Sequence, residues 1–105
     1  STVDTIRQFR VDHAVMGVSA IDEDGSLLDF DVREVRAAQA IMANSRKVIL
    51  VADATKFTRS APVRIGHISQ VATLVTDAPP PQPIADICRD SGVSIELVST
   101  EKSEA

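Results

Sequence analysis

The stretch Lys47-Val48-Ile49-Leu50-Val51-Ala52-Asp53 decides the fold class of this chain. Its five central residues are all apolar, so they lack the alternation of polar and apolar side chains that marks a strand with one wet face. An uninterrupted apolar run of this kind is typical of a parallel sheet that helices cover on both faces. We therefore expect residues 47–53 to form a central strand that is buried on both sides.

Helical patterns lie on either side of this strand in the sequence. Asp31-Val32-Arg33-Glu34 has the form of a capping box, in which Asp31 replaces the usual Ser or Thr. It opens a predicted helix over Arg33–Ser45, whose apolar residues return every three or four positions. Further helices are predicted over Val3–Phe9 and Ile84–Ser91.

Three further apolar runs predict short strands, at Ala14–Val18, Ala72–Thr76 and Val93–Val98, whereas Ala61–Ile68 fits either a strand or a turn. Helices and strands thus alternate along the chain. This alternation indicates an α/β fold with a mostly parallel sheet covered by helices. Because the chain opens on a helix, we expect part of the sheet to lie upstream of Ser1.

The composition narrows the range of functions. A chain of 105 residues is long enough for one domain with a single core. Its formal net charge is −4, its 11 Lys and Arg residues are scattered, and it has no Tyr or Trp. Nucleic-acid binding needs clustered basic residues or stacking aromatic rings. The chain itself is therefore a poor candidate for direct contact with DNA.

The sequence predicts no cofactor, no metal site and no membrane segment. His13 and His67 lie far apart and lack the spacing of zinc ligands. Glycine-rich nucleotide loops and nucleophile motifs are absent from the sequence, and no apolar run approaches the ~20 residues that span a bilayer. The first residues also lack the features of a signal peptide. We expect a cytoplasmic protein that is not an enzyme.

Polar segments follow three of the predicted strands, at the carboxyl edge where parallel sheets place their ligands. These segments are Ser19–Phe30, Asp53–Ser60 and Asp77–Pro81. The second combines hydroxyl side chains with Lys56 and Arg59, which together can hold the oxygens of a phosphate or a carboxylate. The alternative is a solvated polar turn, and composition alone favours that alternative.

Seven residues are candidates for ligand contact: Ser19, Asp31, Glu34, Asp53, Thr55, Lys56 and Arg59. Glu34 has two interpretations. As a member of the capping box it would bond a backbone N–H at the helix start, which its spacing favours. Alternatively, its carboxylate would accept a hydrogen bond from a polyol hydroxyl.

Four motifs of this chain resemble one protein family. They are Ile21-Asp22-Glu23-Asp24-Gly25-Ser26-Leu27-Leu28-Asp29-Phe30-Asp31, Glu34-Val35-Arg36, Lys56-Phe57 and Thr76-Asp77-Ala78-Pro79-Pro80-Pro81. Together they resemble the C-terminal effector domain of DeoR-type bacterial repressors. The resemblance extends from about Ile6 to Leu97, which is nearly the whole chain.

The resemblance implies a fold and a set of partners. Such repressors carry an N-terminal winged helix-turn-helix that binds operator DNA, which we expect to lie outside this chain, and they form homo-oligomers. Their sensor domain is similar in fold to ribose-5-phosphate isomerase and glucosamine-6-phosphate deaminase, and it binds a phosphorylated sugar or polyol. The expected effector here is sn-glycerol 3-phosphate. Residues 1–99 would form the C-terminal part of the sensor, and residues 100–105 a flexible tail.

The resemblance also implies residue roles. Lys56 would face the anionic group of the effector, Asp53 would hold the loop, and Glu34 would reach a hydroxyl or orient a neighbour. The first half of the sensor would supply a further phosphate loop, so the loop in this chain is expected to be half of a site. Relatives often place a basic residue four positions after the glutamate, where this chain has Ala38. Two alternatives stay open: a fragment of an isomerase-like enzyme, and a dimerisation module without a ligand.

Overall fold

A computed structural model describes residues 11–98 of the chain. Along these residues lie β1 (Val11–Gly17), β2 (Ala20–Ile21), β3 (Ser26–Asp29), α1 (Val32–Asn44), β4 (Ser45–Val51), a 3-10 helix (Ala54–Thr58), β5 (Val63–His67), a second 3-10 helix (Ile68–Gln70), β6 (Thr73–Thr76), α2 (Gln82–Ser91) and β7 (Ser94–Leu97). The predicted helix over residues 3–9 and the predicted tail over residues 100–105 lie outside the described range.

The larger sheet has four strands in the order β1-β4-β6-β7, and every neighbouring pair is parallel. The predicted strand over residues 47–53 is β4, which occupies an interior position between β1 and β6. The fold-class prediction, an α/β fold with a mostly parallel sheet, is therefore confirmed. None of the helices within residues 11–98 has the length and apolarity needed to cross a membrane.

The two faces of this sheet differ in exposure. On one face Met16, Leu50 and Leu74 lie in register and are 7%, 0% and 0% exposed. On the other face Val15 is 66% exposed and Val51 is 46% exposed. The expectation that the central strand is buried on both sides is thus wrong for the described part of the chain. The reason is that both helices pack on the same face of the sheet. Val35 of α1 and Ile84 and Cys88 of α2 belong to the same apolar cluster as Leu50.

A second, antiparallel sheet in the order β2-β3-β5 was not predicted. We expected Ser19–Phe30 to be a loop with a tight turn at Asp24-Gly25. A turn is present there, since the Gly25 N–H donates to the Asp22 carbonyl at 2.9 Å, but the residues on either side of it pair as strands. Of the two alternatives for Ala61–Ile68, the strand is correct, since β5 pairs with β3. These strands are too short for alternation to reveal them, because β2 has two residues and β3 has four.

Candidate functional site

A short 3-10 helix follows β4 after two intervening residues, Ala52 and Asp53, and carries the predicted ligand lysine. We call this element, Ala54–Thr58, the Lys56 helix. Asp53 caps it: one oxygen of the Asp53 carboxylate, Oδ1, accepts a hydrogen bond from the Thr55 N–H at 3.0 Å and another from the Thr55 hydroxyl. These hydrogen bonds, led by that of the Thr55 hydroxyl, hold the pKa of Asp53 below its ordinary value of 3.8. Asp53 is thus the N-cap of the Lys56 helix, and its part in binding an effector stays a prediction.

The Lys56 ammonium lies against the same carboxylate. Lys56 Nζ is 3.4 Å from Asp53 Oδ2, and the lysine side chain is only 23% exposed. The charge of Lys56 therefore lies beside the carboxylate that caps its own helix. An incoming anion would have to share Lys56 with Asp53.

A second carboxylate reaches the Lys56 helix from the neighbouring strand. Asp77 follows β6, and its Oδ1 accepts a hydrogen bond from the Ala54 N–H at 2.8 Å. Carboxylates thus occupy the N–H groups of both Ala54 and Thr55. A ligand anion at this loop would therefore be bound by the side chains of Lys56 and Arg59 and not by these two N–H groups.

Asp77 was missing from the seven predicted site residues. Its position directly after a parallel strand was a usable signal, because the carboxyl ends of neighbouring parallel strands lie side by side. Arg59, which was predicted, ends the Lys56 helix as its C-cap residue and is exposed. Lys56 and Arg59 therefore lie on the same short segment.

Ser19 is tied to a buried carboxylate. Its hydroxyl donates to Asp29 Oδ1 at 2.7 Å, and the Phe30 N–H donates to the same oxygen at 2.8 Å. Asp29 is 9% exposed. Ser19 directly precedes β2, and β2 packs against the Lys56 helix, so the structure places the first and second polar segments side by side. Sequence reasoning did not select Asp29, because the strand that carries it, β3, was not predicted.

Asp31 and Glu34 lie at the start of α1. Asp31 Oδ1 accepts a hydrogen bond from the Arg33 N–H at 2.8 Å, so Asp31 is the N-cap of the helix. In a capping box, the N-cap side chain accepts the backbone N–H of the third helical residue, which here is Glu34. Asp31 accepts the N–H of Arg33 instead, so the predicted capping box is wrong. Glu34 is exposed in the first helical turn, where a carboxylate interacts favourably with the helix dipole.

Two open grooves of the described surface lie away from the Lys56 helix. They run between α1 and β5 and share Gln39, Ile65 and Gln70 as lining residues. None of the seven predicted site residues lines these grooves. The residues of the Lys56 helix thus lie outside these two grooves, at the carboxyl edge of the parallel sheet.

Comparison with known proteins gives consistent matches. The glycerol-3-phosphate regulon repressor of Escherichia coli (strain K12) is 50% identical over 97 residues, covering 92% of this chain and 38% of that protein. The protein of the same name from Haemophilus influenzae is 54% identical over 76 residues, covering 72% and 30%. The HTH-type transcriptional repressor CsqR of Escherichia coli is 41% identical over 97 residues, covering 92% and 37%.

These relatives are more than twice as long as the matched region, since this chain spans 38% of the length of the first of them. Their names are those of transcription regulators. A family model, the DeoR C terminal sensor domain, matches residues 1–78 of the 105 in this chain. The family expected from the motifs is thus confirmed: the chain belongs to the DeoR family and carries its C-terminal sensor domain.

Proposed function

We propose that this chain is the effector-sensing part of a bacterial transcriptional repressor and that its effector is a phosphorylated polyol, sn-glycerol 3-phosphate. The observation that carries the proposal is the Lys56 helix, which places Lys56 and Arg59 at the carboxyl end of a parallel strand. Identity of 50% to the glycerol-3-phosphate regulon repressor of Escherichia coli supports the choice of effector.

The charges of the site favour a ligand that has both an anionic end and hydroxyl groups. Lys56 and Arg59 supply positive charge, while Asp29, which accepts the Ser19 hydroxyl after β1, supplies a carboxylate. Carboxylates repel a bare phosphate but accept hydrogen bonds from hydroxyl groups. A polyol phosphate satisfies both sets of groups.

The proposed mechanism is a linkage between effector and operator. An effector that binds more tightly to the conformation with low DNA affinity shifts the population toward that conformation and releases the operator. A coupling of about 1–3 kcal/mol changes operator affinity by roughly 5- to 150-fold. The pairing of Lys56 with Asp53 is one contact that the effector would rearrange.

The proposal includes a layout for the whole protein. Residues 1–99 belong to the C-terminal part of the sensor, and operator DNA is bound by a winged helix-turn-helix outside this chain. Such a protein works in the cytoplasm as a homo-oligomer.

Two alternative functions are a fragment of an isomerase-like enzyme and a dimerisation module without a ligand. Membership of a family whose relatives are named as transcription regulators sets the isomerase-like fragment aside. A ligand-free dimerisation module differs in its response to ligand, because it would not respond to any effector.

Calorimetry of the full-length protein tests the proposal. We expect saturable binding of sn-glycerol 3-phosphate, and much weaker binding of glycerol and of inorganic phosphate, each of which carries only one of the two recognised groups. No binding of sn-glycerol 3-phosphate at millimolar concentration would contradict the effector assignment. Equal binding of inorganic phosphate would show that the hydroxyl groups are not recognised.

A further inference from the structure

We propose that Asp77 is a positioning residue for the Lys56 helix; the inference rests on the proposed effector function. The motif Thr76-Asp77-Ala78-Pro79-Pro80-Pro81 places a carboxylate directly after β6. That carboxylate accepts the Ala54 N–H at 2.8 Å, although the two residues are 23 positions apart. Asp77 thus joins the third polar segment of the sheet edge to the second.

The hydrogen bond between Ala54 and Asp77 extends the pairing of β4 and β6 beyond the ends of these strands. Val51 and Val75 are the last paired residues of β4 and β6, and the Ala52 N–H still donates to the Val75 carbonyl at 2.9 Å. Two residues later, the Ala54 N–H is accepted by a side chain, that of Asp77. The Asp77 carboxylate therefore fixes the point at which the chain leaves the sheet and begins the Lys56 helix.

Asp77 is itself anchored on both sides. On one side, the Val98 N–H donates to the Thr76 carbonyl at 2.9 Å. On the other side lie three consecutive prolines, whose rings fix φ and restrict the residue before each ring. The last of them, Pro81, accepts the Ile84 N–H at 3.0 Å, and Ile84 is only 1% exposed. The carboxylate is thus presented from a segment with little backbone freedom.

Asp77 and Asp53 contact the Lys56 helix in different ways. Asp53 bonds Thr55 and Lys56 within its own loop, so it moves together with the lysine. Asp77 bonds Ala54 from a different strand, so it alone of the two ties the helix start to the sheet. Removing the Asp77 carboxylate leaves Lys56 paired with Asp53 but frees the start of the helix to shift. We expect the effector dissociation constant to rise roughly three- to tenfold, as for the loss of one hydrogen bond.

The test compares four forms of the full-length protein by calorimetry with sn-glycerol 3-phosphate. They are the wild type, Asp77→Ala, Asp77→Asn and Asp90→Ala, the last being a control at an exposed carboxylate of α2. Asn keeps an oxygen that can accept the Ala54 N–H. The inference predicts weaker binding by Asp77→Ala and dissociation constants within about twofold of the wild type for Asp77→Asn and Asp90→Ala. The inference is overturned if Asp77→Ala binds the effector as tightly as the wild type. It is also overturned if Asp77→Asn weakens binding as much as Asp77→Ala does.

Amide hydrogen exchange of a peptide covering residues 52–58, measured without effector, is the second readout. The inference predicts faster exchange in Asp77→Ala than in the wild type and a restored rate in Asp77→Asn. Equal rates in all four proteins overturn the inference. Because hydrogen exchange is measured without effector, this readout tests the role of Asp77 separately from the proposed function. A wild type that binds no polyol phosphate contradicts only the effector assignment.

Discussion

His67 Nε2 lies 2.7 Å from the carbonyl oxygen of Asp24, although the two residues are 43 positions apart. The Ser69 N–H donates to the other ring nitrogen, Nδ1, at 3.1 Å. Nδ1 is therefore the acceptor of the ring, and Nε2 carries the proton that is donated to Asp24. The same histidine is the N-cap of the 3-10 helix Ile68–Gln70. His67 therefore links the β2–β3 turn to the segment between β5 and β6.

The His67 ring leaves no room for a side chain at Gly25. Gly25 has a φ of 89°, and a Cβ there would lie 2.6 Å from His67 Nε2. We expect Gly25→Ala to lower the free energy of unfolding by about 2–3 kcal/mol, from the backbone strain together with the loss of the His67–Asp24 hydrogen bond. Urea unfolding provides the measurement.

Gly92→Ala is the matched control for this substitution. Gly92 also has a positive φ, 77°, but a Cβ there meets nothing within 4 Å. Its replacement should cost only the backbone strain, about 1 kcal/mol. Equal losses for the two variants would show that the contact between Gly25 and His67 does not contribute.

The stability of the protein should fall in acid partly through Asp53. The hydroxyl of Thr55, followed by Lys56 and the Thr55 N–H, holds the pKa of Asp53 below 3.8. A lowered pKa contributes stability that is fully present above the unfolded-state pKa and is lost as the pH falls through the folded-state pKa. We therefore expect Asp53→Asn to lose less free energy of unfolding than the wild type when the pH falls below about 4. Urea unfolding at a series of pH values tests this, and parallel curves would contradict it.

Thr76 offers a test of buried polarity. It is 2% exposed, and its hydroxyl oxygen has no hydrogen-bond partner within the described residues. Burying an unpaired hydroxyl is unfavourable by roughly 1–3 kcal/mol. We expect Thr76→Val, which keeps the shape, to match or exceed the wild-type stability in urea unfolding. Thr76→Ala should be less stable than Thr76→Val because it loses packing, and a destabilised Thr76→Val would mean that the hydroxyl is bonded.

The long elements of the fold were predictable because their patterns are strong. The apolar run of β4 and the periodic stripe of α1 both lie within two residues of their observed bounds. The antiparallel sheet was not predictable, because β2 and β3 depend on pairing with each other and with β5 instead of on their own sequence. The exposed side of the parallel sheet was also missed, since an apolar run does not show which face a neighbouring element covers.

The candidate site was predictable only in part. Lys56 and Asp53 were found because they follow a strong strand within one loop. Asp29 was missed because β3 was not predicted, and Asp77 was missed because its role depends on a hydrogen bond with Ala54, 23 positions away. Such long-range hydrogen bonds leave no periodic signal.

The measurement that tests the central claim most directly is the affinity of the full-length protein for its operator, with and without millimolar sn-glycerol 3-phosphate. The variants are Lys56→Ala and, as a control, Lys47→Ala at the exposed start of β4. We predict that the effector raises the operator dissociation constant by roughly 5- to 150-fold in the wild type and in Lys47→Ala, but by less than about twofold in Lys56→Ala. A Lys56→Ala variant that binds operator normally and responds to effector as the wild type does would contradict the account.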